Sequence, residues 1–437
     1  MNKLKYIPIC ILISSILLGS QANGQKIEVD GVIIAGPTIS LISVAVDDFK
    51  LNNDLTDPAD SLFSSNLKST LIEDLLFSLY FSVVKPDSAF VADFAKGQMK
   101  IDDWIYLGAR MLISGRLDKH ADLYTLSLEV VDVQRNKLIY NNQFMGSGQT
   151  YRTMAHRIAA DLLLNLAGER GVFDTKIAYS SQVGNKRDIY ICDFDGYNAV
   201  KITDDSYLNQ MPAWSHNGDR IYFTSDRKGK HDLYYYLFEK DAVYSISSRE
   251  GLNFAAAPSP DGKYIAVTLS LPGNSEIYLL DSSGQIIRRL THSLAIDTSP
   301  TWSPNSGQIA FISDRAGNPQ LYVTEVDGIN TRRLTYYGDY IADPVWSPRG
   351  DYIAYCSREA GQFQIYIVDI TGQNAYKLTE IGSNESPSWA PDGFHLVYSS
   401  NADGAYGLYI MNFDGSGKKK LNVKGICKSP SWSVNLQ

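Results

Sequence analysis

The heptapeptide Pro387-Ser388-Trp389-Ala390-Pro391-Asp392-Gly393 decides the fold, because close copies of it recur through the second half of the chain. The tryptophan or its equivalent falls at positions 214, 258, 302, 346, 389 and 432, so successive copies are 44, 44, 44, 43 and 43 residues apart. A period in the low forties that is made of short strands is the size of one four-stranded propeller blade. The other copies lie at residues 212–218, 256–262, 300–304, 344–350 and 430–433.

Each period contains the signals of four strands. The tryptophan segment is the first strand, and a segment with period-2 alternation, such as residues 353–357, is the second. Turns of the type Asp195-Gly196 supply the positive φ that a tight hairpin needs before the fourth strand. The third strand carries an apolar-Tyr pair, which explains part of an excess of 28 tyrosines over 16 phenylalanines; the six pairs end at Tyr190, Tyr234, Tyr278, Tyr322, Tyr366 and Tyr409.

The ends of the repeat region predict how the ring closes. The copy at residues 177–203 has no tryptophan strand before it, whereas residues 430–433 form a tryptophan strand with nothing after it. We therefore expect the C-terminal strand to complete the first blade. This arrangement gives an all-β six-bladed propeller over residues 172–437, without an open sheet edge at the closure.

Residues 38–168 have a different pattern, in which short strands alternate with helices. Asp57 is placed to cap a helix that has Pro58 in its first turn, and a stripe of apolar residues follows at spacings of three to four. A second long helix is expected at residues 151–166, with Gly168 beyond its end. Two helices packed on a small mixed sheet predict an N-terminal α/β sandwich domain.

The N-terminus has the features of an export signal. Lys3 and Lys5 precede a mostly apolar run, and Ala22-Asn23-Gly24 offers small residues before a cleavage point, so residues 1–24 are predicted to be a signal peptide. An uncleaved anchor is the alternative, but the apolar run is shorter than the roughly 20 residues that span a bilayer. Residues 25–37 follow as an arm that is either an edge strand or mobile.

Composition and motifs argue against several functions. The chain has 40 basic and 48 acidic residues, a formal charge of −8, which disfavours nucleic-acid binding. We find no nucleophile elbow, zinc-protease motif, phosphate loop or dinucleotide fingerprint, so neither an enzyme nor a cofactor is expected. His156 could be a catalytic base, but a structural or interdomain contact is favoured. Asp193-Phe194-Asp195-Gly196 could bind a cation, but it falls where every blade turns and is interpreted as a hairpin.

The three cysteines beyond the signal peptide are Cys192, Cys356 and Cys427. Their spacing matches no zinc pattern, and each lies in or beside an apolar strand-like segment, so buried thiols are the favoured interpretation. A single disulfide remains open. The repeated tryptophans are interpreted as packing between blades rather than as a ligand-stacking set.

Several segments resemble the TolB family of the Tol-Pal cell-envelope system. They are Trp104 with Gly108-Ala109, residues 155–158 (Ala-His-Arg-Ile) and residues 168–171 (Gly-Glu-Arg-Gly), together with the blade repeat. The chain departs from the pattern at Pro258, where a tryptophan is usual, at His216-Asn217 and at Asn305-Ser306. The resemblance implies a monomeric periplasmic binding scaffold rather than an enzyme.

The resemblance also implies partners. The scaffold would link the peptidoglycan-associated lipoprotein Pal to the inner-membrane TolA complex, maintain envelope integrity and support outer-membrane constriction in cell division. Other outer-membrane lipoproteins or porins are further partners that it allows. The alternative from another class is a propeller hydrolase or glycan-processing enzyme with an unrecognised channel site.

Two sets of residues are predicted to carry the binding. The polar positions just before each tryptophan motif should surround one mouth of the central channel and form the lipoprotein face. The N-terminal arm would contact TolA by strand addition, or else dock on its own protein. The lipoprotein face comprises Asn209, Asn253, Asp297, Thr298, Ala342 and Glu385, and the arm comprises Lys26, Ile27, Glu28 and Val29.

Overall fold

The computed structural model describes residues 27–29, 32–34, 41–52, 57–87, 90, 99–271 and 273–436. The predicted signal peptide lies outside these residues. Within the arm, β1 (Ile27–Val29) and β2 (Val32–Ile34) pair antiparallel with each other. Among the described helices, none has the length and apolarity needed to cross a membrane.

The N-terminal domain is the expected α/β sandwich. Its sheet has the order β5-β3-β6-β7-β8, with β4 paired to β6; β3 is parallel to β5 and β6, and β6, β7 and β8 are antiparallel, so the sheet is mixed. The elements are β3 (Ile42–Val46), β4 (Lys50–Leu51), α1 (Pro58–Phe77), β5 (Phe81–Val84), α2 (Ile101–Tyr106), β6 (Met111–His120), β7 (Leu123–Asp132), β8 (Lys137–Ser147) and α3 (Tyr151–Ala167).

The helix signals in the sequence are confirmed. The Asp57 carboxylate accepts a hydrogen bond of 2.8 Å from the backbone N–H of Ala59, and Pro58 opens α1. Leu67, Leu71 and Leu75 are fully buried against the sheet and α3. At the end of α3, Gly168 adopts the left-handed conformation with φ +76°, which a glycine does without steric cost.

The propeller has six blades of four antiparallel strands each. The first strand of every blade lines the central channel, and the fourth is outermost. From first to fourth strand, blade 1 is Ile426–Trp432, Lys176–Val183, Lys186–Asp193 and Val200–Lys201; blade 2 is Asn209–Trp214, Arg220–Ser225, Asp232–Leu237 and Ala242–Ser247; blade 3 is Asn253–Pro258, Ile265–Leu269, Glu276–Leu280 and Ile286–Arg289; blade 4 is Asp297–Trp302, Gln308–Ser313, Gln320–Glu325 and Arg332–Arg333; blade 5 is Ile341–Trp346, Tyr352–Glu359, Gln362–Asp369 and Ala375–Lys377; blade 6 is Asn384–Trp389, His395–Ser400, Gly407–Asn412 and Lys419–Lys420.

The predicted closure is confirmed. The C-terminal strand pairs antiparallel with the second strand of blade 1, with Trp432 opposite Ile177. The backbone N–H of Ser433 then donates to the carbonyl of Lys176 at 2.8 Å. The sheet that begins the ring is thus completed by the residues that end the chain, which removes an exposed edge.

Every first strand carries a bulge at the same place. The residue that follows the last regularly paired position has a positive φ of 48–56° although it is not glycine; it is the third residue of the strand in blades 2–6 and the fourth in blade 1. A bulge sets two residues against one on the partner strand, so two consecutive residues are only partly buried there. The six bulge residues are Met211, Ala255, Ser299, Asp343, Ser386 and Ser429.

The tryptophans connect neighbouring blades, as expected. The indole Nε1 of Trp302 donates to the carbonyl of Ala257 at 2.8 Å, and that of Trp389 donates to the carbonyl of Val345 at 3.1 Å. Both acceptors lie in the first strand of the preceding blade. The cysteines also agree with the favoured interpretation, because Cys192, Cys356 and Cys427 are free and buried.

Candidate partner-binding site

The six first strands enclose a central cavity of about 580 Å³. Its wall includes the prolines and tryptophans of the repeated motif. At the six bulge positions the only ionisable side chain is that of Asp343, which accepts a hydrogen bond of 2.8 Å from the Ser386 hydroxyl. Burial raises the pKa of Asp343.

Three of the residues predicted for the lipoprotein face are not at a surface. Asn209, Asn253 and Asp297 are the first residues of their strands rather than members of loops, and each is 0% exposed. Such side chains cannot touch a partner directly, so the prediction that they contact it does not fit the structure. The sequence pattern marks polar residues but does not show whether those residues are already paired.

Their hydrogen bonds explain the burial. Asn253 Oδ1 accepts from the Ser247 hydroxyl at 2.6 Å, and Asn253 Nδ2 donates to Asp232 Oδ1 at 3.2 Å. Asp297 Oδ2 pairs with the Arg315 guanidinium at 2.8 Å, yet burial keeps the pKa of Asp297 above its ordinary value. Asn253 thus joins the first strand of blade 3 to blade 2, whereas Asp297 is paired within blade 4, because buried polar groups need partners.

The other three predicted residues are not fully buried. Thr298, Ala342 and Glu385 occupy the second position of their strands and are partly exposed. Glu385 forms an ion pair of 3.0 Å with Lys428 and accepts a hydrogen bond from the Tyr406 hydroxyl. They remain candidates for contact with a partner that reaches into the channel mouth.

The loops that lead from the fourth strand of one blade to the first strand of the next carry a feature that the sequence analysis missed. We call them the interblade loops. They expose large apolar side chains, among which Leu294 is 103% exposed and Tyr337 is 90% exposed. We define the apolar rim as these loop side chains together with Ile426, the first residue of the C-terminal strand; the loop members are Tyr207, Leu208, Leu252, Leu294, Ile296, Tyr336, Tyr337, Tyr340 and Ile381.

A sequence signal for the apolar rim does exist. Leu208, Leu252, Ile296 and Tyr340 each precede the first residue of a first strand, and they are spaced by 44 residues. All four are exposed, although an apolar residue beside a strand is more often buried.

The apolar rim faces away from the N-terminal domain. That domain contacts the propeller through Phe394 and His395, at the turn after a first strand, and through Phe194 and Asp195, at the turn after a third strand. In an antiparallel blade these turns lie at the end opposite to the interblade loops. One face of the ring is therefore partly covered by its own chain, and the other presents the apolar rim.

The remaining sequence candidates have structural partners. Asp193 pairs with Lys176 at 2.6 Å, and Asp195 pairs with Arg152 and His156 of the N-terminal domain. In the part of the chain that the structure describes, no group of three or more His, Cys, Asp and Glu side chains could hold a metal ion. For the arm, the structure shows Ile27, Glu28 and Val29 in β1, whereas Lys26 lies outside the described residues.

Comparison with known proteins identifies the family. Residues 164–436 match the family model described as TolB beta propeller domain, and residues 30–139 match the TolB amino-terminal domain. The chain belongs to the TolB family. Two TolB domains therefore account for both halves of the described fold, as the sequence resemblance implied.

Individual TolB relatives agree with this assignment. The Tol-Pal system protein TolB of Desulfosudis oleivorans is 35% identical over 205 residues, which are 45% of each chain, and that of Ruegeria sp. is 30% identical over 213 residues. The chain thus spans about half the length of these curated relatives. The crystal structure of TolB from Acinetobacter baumannii has 27% sequence identity and a TM-score of 0.75, and it covers 90% of this chain and 97% of that one.

Proposed function

We propose that the protein is a non-catalytic binding scaffold of the Tol-Pal system in the periplasm. Its apolar rim receives the lipoprotein Pal, and its N-terminal arm contacts TolA. Through these two contacts it maintains envelope integrity and supports outer-membrane constriction during division. The observation that carries the proposal is the set of apolar side chains that the interblade loops expose on the face away from the N-terminal domain.

Exposed apolar residues on consecutive loops favour a protein partner. Single exposed apolar residues are normal, but a group at one mouth of a ring is typical of an interaction surface. The rim includes four tyrosines, and tyrosine is among the residues that contribute most to binding free energy at interfaces. Its apolar character means that most of the affinity should come from burial rather than from ion pairs.

The sector around Leu294, Tyr336, Tyr337 and Ile381 is the best candidate for the centre of the interface. These residues belong to three successive interblade loops and are each more than 60% exposed. The Arg333 guanidinium lies 4.8 Å from the Tyr336 ring centroid, which limits the freedom of that ring before a partner binds.

A hydrolytic channel site has less support. Acid and base catalysis usually needs two positioned ionisable groups. At the six bulge positions only Asp343 is ionisable, and nearby Glu385 is already engaged by Lys428 and Tyr406.

The test is binding of purified Pal periplasmic domain, measured by isothermal titration calorimetry. Leu294→Ala combined with Tyr337→Ala should weaken binding roughly 30-fold or more, because each truncation of a central interface residue costs about 1–2 kcal/mol. The matched control is Ile287→Ala, an exposed apolar residue in the fourth strand of blade 3, away from the rim. Equal affinities for the double variant, the control and the wild-type protein would exclude the apolar rim as the site.

The TolA contact is tested separately. Deletion of residues 26–29 should abolish crosslinking to TolA and leave Pal affinity unchanged. If crosslinking persists after the deletion, the arm is not the contact with TolA. Loss of both TolA crosslinking and Pal binding would show that the deletion disturbs the whole protein.

A further inference from the structure

Two buried histidines lie at the interface between the N-terminal domain and the propeller. His156 belongs to α3 and is 5% exposed, and His395 opens the second strand of blade 6 and is 0% exposed. Each of them contacts the opposite domain. The binding scaffold proposed above uses neither.

Both ring nitrogens of His156 face carboxylates. Nδ1 lies 2.7 Å from Asp74 Oδ2 on α1, within its own domain, and Nε2 lies 3.1 Å from Asp195 Oδ2 on the turn of blade 1. The first contact is a hydrogen bond. The second contact is short enough for an ion pair, but the Nε2–H does not point closely enough at the oxygen to form a hydrogen bond. His156 is therefore held between two acidic groups from two domains.

His395 belongs to the propeller and contacts the N-terminal domain, which is the reverse of the arrangement at His156. Its Nδ1 lies 2.7 Å from Asp392 Oδ2 in its own blade, and its Nε2 lies 2.8 Å from the backbone carbonyl of Phe77, at the last residue of α1. The Phe77 ring also stacks on the imidazole, with 4.1 Å between the ring centroids. The end of α1 thus rests directly on this histidine.

The partners determine the number of protons. Carbonyl and carboxylate oxygens accept hydrogen bonds, whereas a neutral imidazole carries only one N–H and presents a lone pair on its other nitrogen. In His156 a neutral ring would direct that lone pair at a carboxylate oxygen, which is repulsive in a buried site. The site of His156 is satisfied only when both ring nitrogens face their oxygens through a hydrogen.

The charged groups around His156 support the presence of two protons on its ring. Burial alone would lower the pKa of His156, but Asp195 and Asp74 outweigh it and raise the pKa to about 9. The pKa of Asp195 is lowered to about 2, because His156 and Arg152 more than offset its burial. Burial raises the pKa of Asp74, even though its hydrogen bond with His156 acts in the opposite direction.

Other charged and aromatic side chains also lie at the interface between the two domains. The Arg152 guanidinium pairs with Asp195 and lies 3.8 Å from the Tyr197 ring centroid, and Glu73 and Lys419 are 3.7 Å apart at an exposed position. Near His395, Arg349 lies 4.6 Å from the Phe394 ring centroid, and the Tyr80 ring packs edge-on against Phe394.

We propose that His156 is a proton-dependent latch between the two domains: it is doubly protonated while the domains are docked, and loss of one of these protons releases the N-terminal domain from the propeller. Because the bound protons belong to the docked state, docking is favoured at low and neutral pH. For His156 the contribution is complete below the ordinary histidine pKa of about 6.5 and disappears as the pH rises through about 9.

The first experiment observes the protons directly. Nitrogen NMR of the full chain labelled with ¹⁵N-histidine at pH 7.5 should show two protonated ring nitrogens for His156, assigned by His156→Gln. A lone-pair nitrogen signal from His156 at this pH would overturn the proposal. This measurement on the wild-type protein does not depend on how well the variants fold.

The second experiment measures docking. Spin labels at Lys137→Cys in β8 and Lys240→Cys in blade 2, both exposed, report the interdomain distance. The distribution should be narrow at pH 7 and broaden at pH 10 in the otherwise wild-type chain, whereas H156Q should be broad at both values. The matched control H120Q, at an exposed histidine of the N-terminal domain, should follow the wild type. A distribution that stays narrow at pH 10 would exclude release by proton loss.

Discussion

The indole Nε1 of Trp214 donates a hydrogen bond of 3.1 Å to the carbonyl of Ser431, although 217 residues separate the two along the chain. Trp214 ends the first strand of blade 2, and Ser431 lies in the C-terminal strand that completes blade 1. The same bond joins neighbouring blades elsewhere, as between Trp302 and Ala257. The C-terminal strand therefore occupies a regular first-strand position in the ring.

The first prediction concerns this closure. Trp432 is 6% exposed, and its Nε1 donates to the Thr175 hydroxyl at 2.8 Å. Trp432→Ala should lower the free energy of unfolding by about 3–5 kcal/mol, the usual cost of truncating a buried tryptophan. Deletion of residues 429–437 should lower the thermal midpoint further and reduce the cooperativity of the transition. Differential scanning calorimetry measures both effects.

The control for the closure is Tyr244→Ala in the fourth strand of blade 2, where the ring is 40% exposed. It should change the midpoint far less than Trp432→Ala. If the deletion changes neither the thermal midpoint nor the cooperativity, closure by the C-terminal strand is contradicted.

The second prediction separates stability from binding. Asn253→Ala, in the first strand of blade 3, removes a partner from both Ser247 and Asp232 of blade 2, and it should cost about 1–3 kcal/mol of unfolding free energy because buried polar groups are left unpaired. Urea unfolding measures this loss. At a temperature where the variant is fully folded, its affinity for the Pal domain should equal that of the wild type, and a selective loss of affinity would instead support a direct contact.

The third prediction concerns a close approach between blades. Gly284 has φ +85°, and a Cβ at this position would lie 2.1 Å from the Ile246 carbonyl oxygen of the preceding blade. Gly284→Ala should therefore destabilise the protein by roughly 3 kcal/mol or more, since both the backbone conformation and the contact are unfavourable. The control is Gly229→Ala, which has φ +78° but open space around the Cβ position, and should cost only about 1 kcal/mol. If chemical denaturation shows the same loss of unfolding free energy for both variants, the contact between Gly284 and Ile246 is not tight.

The fourth prediction is a pH dependence. Asp60 is buried and accepts hydrogen bonds from Lys119 Nζ at 2.7 Å and from the Tyr124 hydroxyl at 2.6 Å, and these bonds lower its pKa. A carboxyl whose pKa is lower in the folded state stabilises the fold above its ordinary pKa, and this contribution is lost as the pH falls through the folded value. Asp60→Asn should therefore lower the urea midpoint at pH 7, and the difference from wild type should shrink at pH 3.5.

Glu129→Gln, at an exposed position on β7, is the control for this pH dependence and should behave as the wild type at both values. A difference between Asp60→Asn and the wild type that is the same at pH 7 and pH 3.5 would assign the effect to packing rather than to the charge.

Much of the fold follows from the sequence because its causes are local or periodic. The capping Asp57 beside Pro58 marks where α1 begins, and Gly168 marks where α3 ends. The spacing of the tryptophan motifs gives the number of blades, and the unmatched first and last segments imply the closing strand. Each of these signals depends on neighbouring residues or on a repeat that is visible along the chain.

The site depended on contacts that a linear pattern cannot show. Asn253 and Asp297 have the composition of a binding surface, but the tertiary structure buries them, because Asp232 and Arg315 lie close enough to satisfy them. The sequence by itself determined a two-domain fold with a closed six-bladed ring. Only the tertiary structure decided which polar residues were already paired, which apolar residues remained exposed at the rim and which histidines joined the domains, since burial is a property of packing between distant segments.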